Sequence, residues 1–169
     1  MSDERRQVLL RIVRDSVAPV TGADLATTLG VSRQVIVQDV AILRAAGSEI
    51  IATPRGYVLP SAPAGGQLRT VVAVQHRRDQ IAIELVTLVD LGIRIVDVVI
   101  EHPVYGELRG LLMVESRFDV RAFMTRLEGS EPLLALTRGV HLHTLEASRP
   151  DVLERGRQAL RDLGILLER

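Results

Sequence analysis

TGADLATTLGVSRQVIVQDVAILRAAG, residues 21–47, carries the start and stop signals of two short helices joined by a tight turn. Thr21 is placed to cap the first helix, with Asp24 three residues on in the acidic slot and Val20 and Leu25 in the paired positions of a hydrophobic staple. The grammar then repeats. Gly30 stands where a helix ends in a left-handed residue, Ser32 caps the next helix, and Val31 can clamp onto Ile36. These parts make a helix-turn-helix.

The second helix has two faces. Ile36, Val40 and Leu43 fall at helical spacing and can bury, while Arg33, Gln34 and Gln38 lie elsewhere on its surface. Together with Ser32 at the cap, those three are the candidate base readers: arginine gives two hydrogen bonds to guanine, glutamine two to adenine, and the first turns of such a helix enter the major groove. The competing reading is an amphipathic helix with a solvated face. EIIATPRGYVLP, residues 49–60, then alternates apolar residues around a Pro-Arg-Gly turn and predicts a hairpin. A helix-turn-helix followed by a hairpin is a winged helix. Arg55 at the wing tip is placed to reach a phosphate or the minor groove, or is an ordinary turn arginine. An earlier helix, about Asp3 to Asp15, offers Leu9, Ile12 and Val13 to the core.

Length and composition bound the remainder. With 169 residues, 47% of them hydrophobic, the chain has room for two small cores. It has no cysteine, so disulfides and thiolate metal sites are excluded. No apolar run approaches the roughly 20 residues of a membrane span, and the charged start MSDERRQ is unlike a secretion signal. A cytoplasmic protein is expected. The 21 acidic residues balance 21 basic ones, and the first 60 residues hold seven arginines against six acidic side chains. Bulk electrostatics therefore contribute little to any nucleic-acid affinity, which must come from positioned contacts and pairing of subunits.

PSAPAGGQ interrupts the periodic pattern, which divides the chain into a winged helix over 1–60, a linker over 61–67 and a second domain over 68–169. In that domain LRTVVAVQH predicts a strand, RRDQIAIELVTLVDLG a helix, IRIVDVVIEH and GELRGLLMVES two strands, 119–128 a helix, VHLHTLEA a strand and 151–163 a closing helix. The order β-α-β-β-α-β-α predicts an α+β open sandwich with an antiparallel sheet. Strands 93–102 and 107–116 are joined too tightly for a helical crossover. Ile93 and Ile95 alternate with Val96, Val98 and Ile100, so this strand is either internal to the domain or covered on one face by a partner subunit.

All four histidines, His76, His102, His141 and His143, lie in the second domain. On a strand, His141 and His143 point to one face about 7 Å apart, close enough to share a metal ion. His76 and Glu84 could add ligands. On one straight helix they would be about 12 Å apart, so His76 must precede the helix that carries Glu84. Three imidazoles and a carboxylate suit Ni, Zn, Fe or Mn without choosing among them.

The segments GVSRQVIVQDVAILRAAG, IIATPRGYVL, ELVTLVDLG, VDVVIEHPVYGEL and LTRGVHLHTLEA resemble the niacin-responsive repressor family, in which a winged helix is joined to a 3H domain. The resemblance covers nearly the whole chain. It implies an HPr-like fold for the second domain, a homodimer, and repression of NAD-biosynthesis or niacin-uptake genes at operator DNA with nicotinic acid as co-repressor. It also implies one divalent metal per subunit, nickel being favoured, on His76, Glu84, His141 and His143. His102 and Tyr105, from EHPVYGE, are expected near the effector pocket, with Arg138 beside the HLH strand a candidate for the effector carboxylate. A metal-responsive regulator would use the same ligands, and a metal-dependent enzyme fused to a DNA-binding domain is the more distant alternative. Nucleophile elbow and phosphate loop are both missing from the sequence.

Overall fold

A computed structural model describes residues 2–60 and 67–168, which fall into two compact units, Met1–Ala62 and Pro63–Arg169. The linker expected over 61–67 lies, except for Gln67, outside the described residues.

The first unit runs α1 (Ser2–Asp15), α2 (Gly22–Leu29), α3 (Arg33–Ala45), β1 (Ile51–Thr53) and β2 (Gly56–Val58). Thr21 Oγ1 accepts the Asp24 amide at 3.0 Å, Gly30 ends α2 at φ 65°, and Ser32 Oγ accepts the Val35 amide at 3.3 Å. Each cap satisfies an amide that has no partner within its own helix, which is why both helices start where they do. Leu9, Val13, Leu25, Ile36, Val40, Leu43 and Ile50 form the core, with Ile12 only partly buried at its edge. Each fully buried Leu or Ile contributes about 1.5–3 kcal/mol.

The hairpin closes through Pro54 and Arg55, and Val20 exchanges two backbone hydrogen bonds with Tyr57, at 3.0 and 2.8 Å, to add a third strand segment. Gly56 is required there. Its φ is 130°, and a Cβ would stand 2.5 Å from the Val20 carbonyl oxygen. The wing is thereby fixed to the residue that precedes the α2 cap.

The second unit runs β3 (Leu68–Gln75), a 3-10 turn (Arg78–Gln80), α4 (Ile81–Asp90), β4 (Arg94–His102), β5 (Gly106–Val114), α5 (Arg117–Leu127), a 3-10 segment (Leu133–Thr137), β6 (Val140–Ala147), α6 (Pro150–Asp162) and β7 (Leu166–Leu167). The sheet order is β5-β4-β6-β3-β7, with every recorded pairing antiparallel. This is the expected α+β sandwich with one short edge strand added. Val72 and Val74 are buried while Val71 is 53% exposed, so one face carries the helices and the other is open. The core joins Ile81, Leu85 and Leu88 of α4, Val120 and Leu127 of α5 and Leu153 and Leu160 of α6 to inward strand residues such as Ile95 and Leu145.

Strand β4 is internal, between β5 and β6, and its alternation is broken. The register shifts between Ile95 and Val99, where β4 spends one more residue than β6. Val98 packs against the domain's own core, so the strand does not present one continuous apolar face for a partner along its length.

Candidate metal centre and nucleic-acid interface

On β6, His141 lies opposite Val74 and His143 opposite Val72, so both imidazoles enter the helix-covered face. His76 follows the end of β3, outside any helix, and Glu84 stands in the first turn of α4. A separate 3-10 turn absorbs Arg78–Gln80, so the α-helix begins later than the segment RRDQIAIELVTLVDLG suggested. All four side chains are buried: Glu84 1%, His141 3%, His143 3% and His76 5% exposed.

The imidazoles converge on the carboxylate. His76 Nε2 is 2.5 Å from Glu84 Oε2, His141 Nε2 is 3.7 Å from the same oxygen, and His143 Nε2 is 3.4 Å from Oε1. The His141 ring stands edge-on to both neighbours with centroids 4.8 Å apart, closer than flat strand geometry suggests. His76, Glu84 and His141 form the tightest set, each offering a ligand atom within 4.8 Å of the others, and His143 joins through the second carboxylate oxygen.

What turns the rings is a set of backbone carbonyls. Nδ1 of His76 lies 2.8 Å from the Arg77 oxygen, Nδ1 of His141 2.8 Å from Gly139 and Nδ1 of His143 2.6 Å from Asp97. A carbonyl only accepts, so each Nδ1 carries hydrogen, and any ring in its neutral form turns an Nε2 lone pair toward Glu84. Lone pairs facing an anionic carboxylate need a cation or protons between them. Glu84 Oε1 and His143 Nε2 are buried without any hydrogen-bond partner. This donor set fits a divalent transition ion, and the buried His/Glu/His group could hold one. Where protons rather than an ion fill that space, burial opposes ionisation of Glu84, but the charge of His143 and the imidazole N–H groups turned toward it hold its carboxyl well below the usual range. Burial likewise works against charge on His76 and His143, and Glu84 overcomes it to raise both above an ordinary imidazole.

Two further residues hold this arrangement and were not evident from the sequence. Asp97, at the β4 irregularity and 2% exposed, accepts from the Thr144 amide at 2.9 Å and the Thr144 hydroxyl at 3.1 Å, while its own carbonyl takes His143. Gly139 carries the carbonyl that holds His141 and also accepts the His76 amide at 3.3 Å. Its φ is 90°, and any Cβ there would collide with the His76 carbonyl. The segments that bring His76 and His141 into the cluster thus meet at a position only glycine fits.

The expected effector residues are placed differently. His102 Nδ1 accepts the amides of Val104 and Tyr105 at 3.1 and 3.3 Å, and its ring lies 5.1 Å from that of Tyr105. Tyr105 is 73% exposed at the β4–β5 turn. Arg138 is exposed, adopts φ 52°, and gives its carbonyl to Gln75 Nε2 at 3.2 Å. Register brings the end of β4, the start of β6 and the end of β3 to the same end of the sheet, but among the described residues no hydrogen bond, ion pair or ring contact joins His102 or Tyr105 to the buried cluster.

In the first unit, Ser32, Arg33, Gln34 and Gln38 are all exposed on α3. The Ser32 oxygen is engaged as cap, which leaves its hydroxyl hydrogen to donate. Arg55 is half-buried at the wing turn, where its amide donates to Thr53 Oγ1 at 3.2 Å. The opposite face of α3 holds a feature the apolar pattern hid. Asp39 is 2% exposed and bound by Arg5 of α1 at 2.7 and 3.1 Å, with Arg6 at 3.5 Å. Its spacing with Ile36, Val40 and Leu43 already put it on the buried face.

A winged helix-turn-helix followed by a small α+β domain with a buried imidazole–carboxylate cluster is the build of a DNA-binding regulator. Residues 5–58 match the HTH domain family and residues 69–169 the 3H domain family. The chain is similar to the probable transcription repressor NiaR of Thermotoga maritima, with 49% identity over 98% of this chain and 94% of that protein. It is also similar to the transcription repressor NadR of Bacillus subtilis, with 41% identity over 99% of this chain and 96% of that protein. The chain belongs to this NiaR/NadR family of transcription repressors. Its HTH domain makes DNA its partner, and no helix among the described residues is long and apolar enough to cross a membrane.

Proposed function

We propose that the chain is a cytoplasmic, homodimeric repressor of NAD-biosynthesis or niacin-uptake genes, with nicotinic acid as co-repressor and a divalent transition ion held by His76, Glu84, His141 and His143. The observation that carries the sensor half of this reading is the convergence of three Nε2 atoms on one buried carboxylate. Nickel is favoured by family resemblance, and the donor set equally suits Zn, Fe or Mn. A bound ion would supply positive charge and Lewis acidity, while the chain's own residues orient the rings and exclude water. Base reading falls to Ser32, Arg33, Gln34 and Gln38, with Arg55 on the backbone or minor groove. His102, Tyr105 and Arg138 are proposed to flank the effector, Arg138 facing its carboxylate.

Effector bound to the 3H domain favours one arrangement of two winged helices, whose recognition helices then meet half-sites about 34 Å apart. The shift in operator affinity cannot exceed the difference in the effector's affinity for the two arrangements. The full burial of all four ligands favours one rival, a regulator that answers to the ion itself.

Gel shifts on an operator selected from a random duplex pool separate the two. Nicotinic acid added to nickel-loaded protein is expected to tighten binding at constant free metal. Affinity that follows free metal and ignores nicotinic acid would replace the co-repressor reading with the metal-responsive one.

A further inference from the structure

The exposed surface of α3 is not uniformly polar. Val37 is 43% exposed on the same helix whose Ile36 and Val40 are 0% and 4% exposed. At about 100° per residue, Val37 lies about 40° around the helix from Arg33 and about 60° from Gln34, one turn further along. Ala41, also exposed, falls in the same arc, and Gln38 closes its far side. An apolar strip therefore runs down the middle of the reading face, with the arginine on one flank and the two glutamines on the other. On a helix surface facing only water, a β-branched residue at this position would add neither solubility nor helix propensity. In the major groove the one apolar group on any base edge is the C5-methyl of thymine.

We propose that Val37 is a specificity-determining residue that reads a thymine methyl in each operator half-site, beside the bases read by Arg33 and Gln34. This rests on the DNA-reading role of α3 and adds to it the identity of one base. The methyl is desolvated against the valine side chain while the flanking polar residues take their hydrogen bonds. Arginine and glutamine alone would tolerate cytosine in place of that thymine wherever neither contacts its O4 acceptor; a buried methyl contact does not.

The test uses the full chain with nickel and nicotinic acid present and a duplex enriched from a random pool. Each thymine of the selected site is replaced singly by deoxyuridine, which lacks only the methyl, and affinity is measured at fixed salt for the wild type and Val37→Ala. Alanine is a better helix former, and the position is exposed, so the variant folds. One thymine per half-site is expected to lose about fourfold in wild-type affinity on demethylation, the factor for one buried methyl group, and to lose nothing further in Val37→Ala. Equal losses in the two proteins, or an enriched half-site without thymine at that step, would overturn the proposal while leaving α3 as the reader. Failure to enrich any sequence would instead overturn the reading of α3 itself.

Discussion

The α3 surface and the 3H-domain cluster treat their polar groups in opposite ways. Arg33, Gln34 and Gln38 stand exposed on a helix whose own backbone and caps are satisfied, so their hydrogen-bonding capacity is available to an incoming surface. His76, Glu84, His141 and His143 are buried and turned on one another, and what they leave unmet is enclosed within the domain. One arrangement is open to a macromolecular surface, and the other could hold an ion. The difference teaches where rigidity is built: the proposed reading face is held by two local caps and the Asp39–Arg5 contact, whereas the cluster is held by carbonyls from three separate segments.

Breaking the second kind of support has the larger effect. Gly139→Ala forces a side chain into a left-handed backbone against the His76 carbonyl, and is expected to cost about 1–3 kcal/mol in backbone strain alone and to displace two imidazoles together. Chemical denaturation with nickel titration checks it. A variant with unchanged stability and unchanged metal affinity would show that the close approach at residue 139 is dispensable.

Asp97→Ala leaves every proposed ligand in place and removes the clamp on Thr144 beside His143, together with the 3.5 Å pairing of Asp97 with Arg109. Metal affinity is expected to fall by about 10–100-fold, as for other loss of outer support, while occupied protein still binds through the same imidazoles. Competition with a chelator of known affinity measures this. A loss of melting temperature with no change in metal affinity would make Asp97 a purely structural residue.

The smallest effect belongs to the reading domain. The Arg5 hydrogen bond holds the Asp39 carboxyl below its ordinary value despite burial. A carboxyl lowered on folding stabilises above its unfolded pKa, about 3.9, and that contribution is lost as pH falls through the lower folded value. Acid unfolding of the wild type is therefore expected to show a decline below about pH 4 that Asp39→Asn lacks. Identical acid profiles would mean that the Arg5–Asp39 contact does not couple α1 to α3.

Sequence disclosed the two regions unequally, for physical reasons. Helix caps and turn glycines act within three or four residues, so Thr21, Gly30 and Ser32 were readable, as was the alternation that gives β6 its bounds. The His-x-His pair was readable because strand periodicity alone puts both rings on one face. The sequence hid whatever depends on a distant partner. Strand β7 is two residues that pair only because β3 lies beside them, and the β4 register shift leaves no mark in VDVVIEH. The carbonyls that choose each tautomer belong to Arg77, Gly139 and Asp97, whose side-chain types say nothing about their backbone oxygens. Asp39 is the exception: its helical position placed a carboxylate among buried residues, a signal the apolar count passed over.

Metal analysis of protein purified without a histidine tag tests the central claim most directly, comparing the wild type with the His141→Ala/His143→Ala double variant. About one transition ion per chain is expected in the wild type, and almost none in the variant, which retains half of a four-ligand site. The circular-dichroism signal of the helices is expected to persist in both. Equal metal content in the two proteins would contradict the assignment of the buried imidazoles and Glu84 as the ion's ligands.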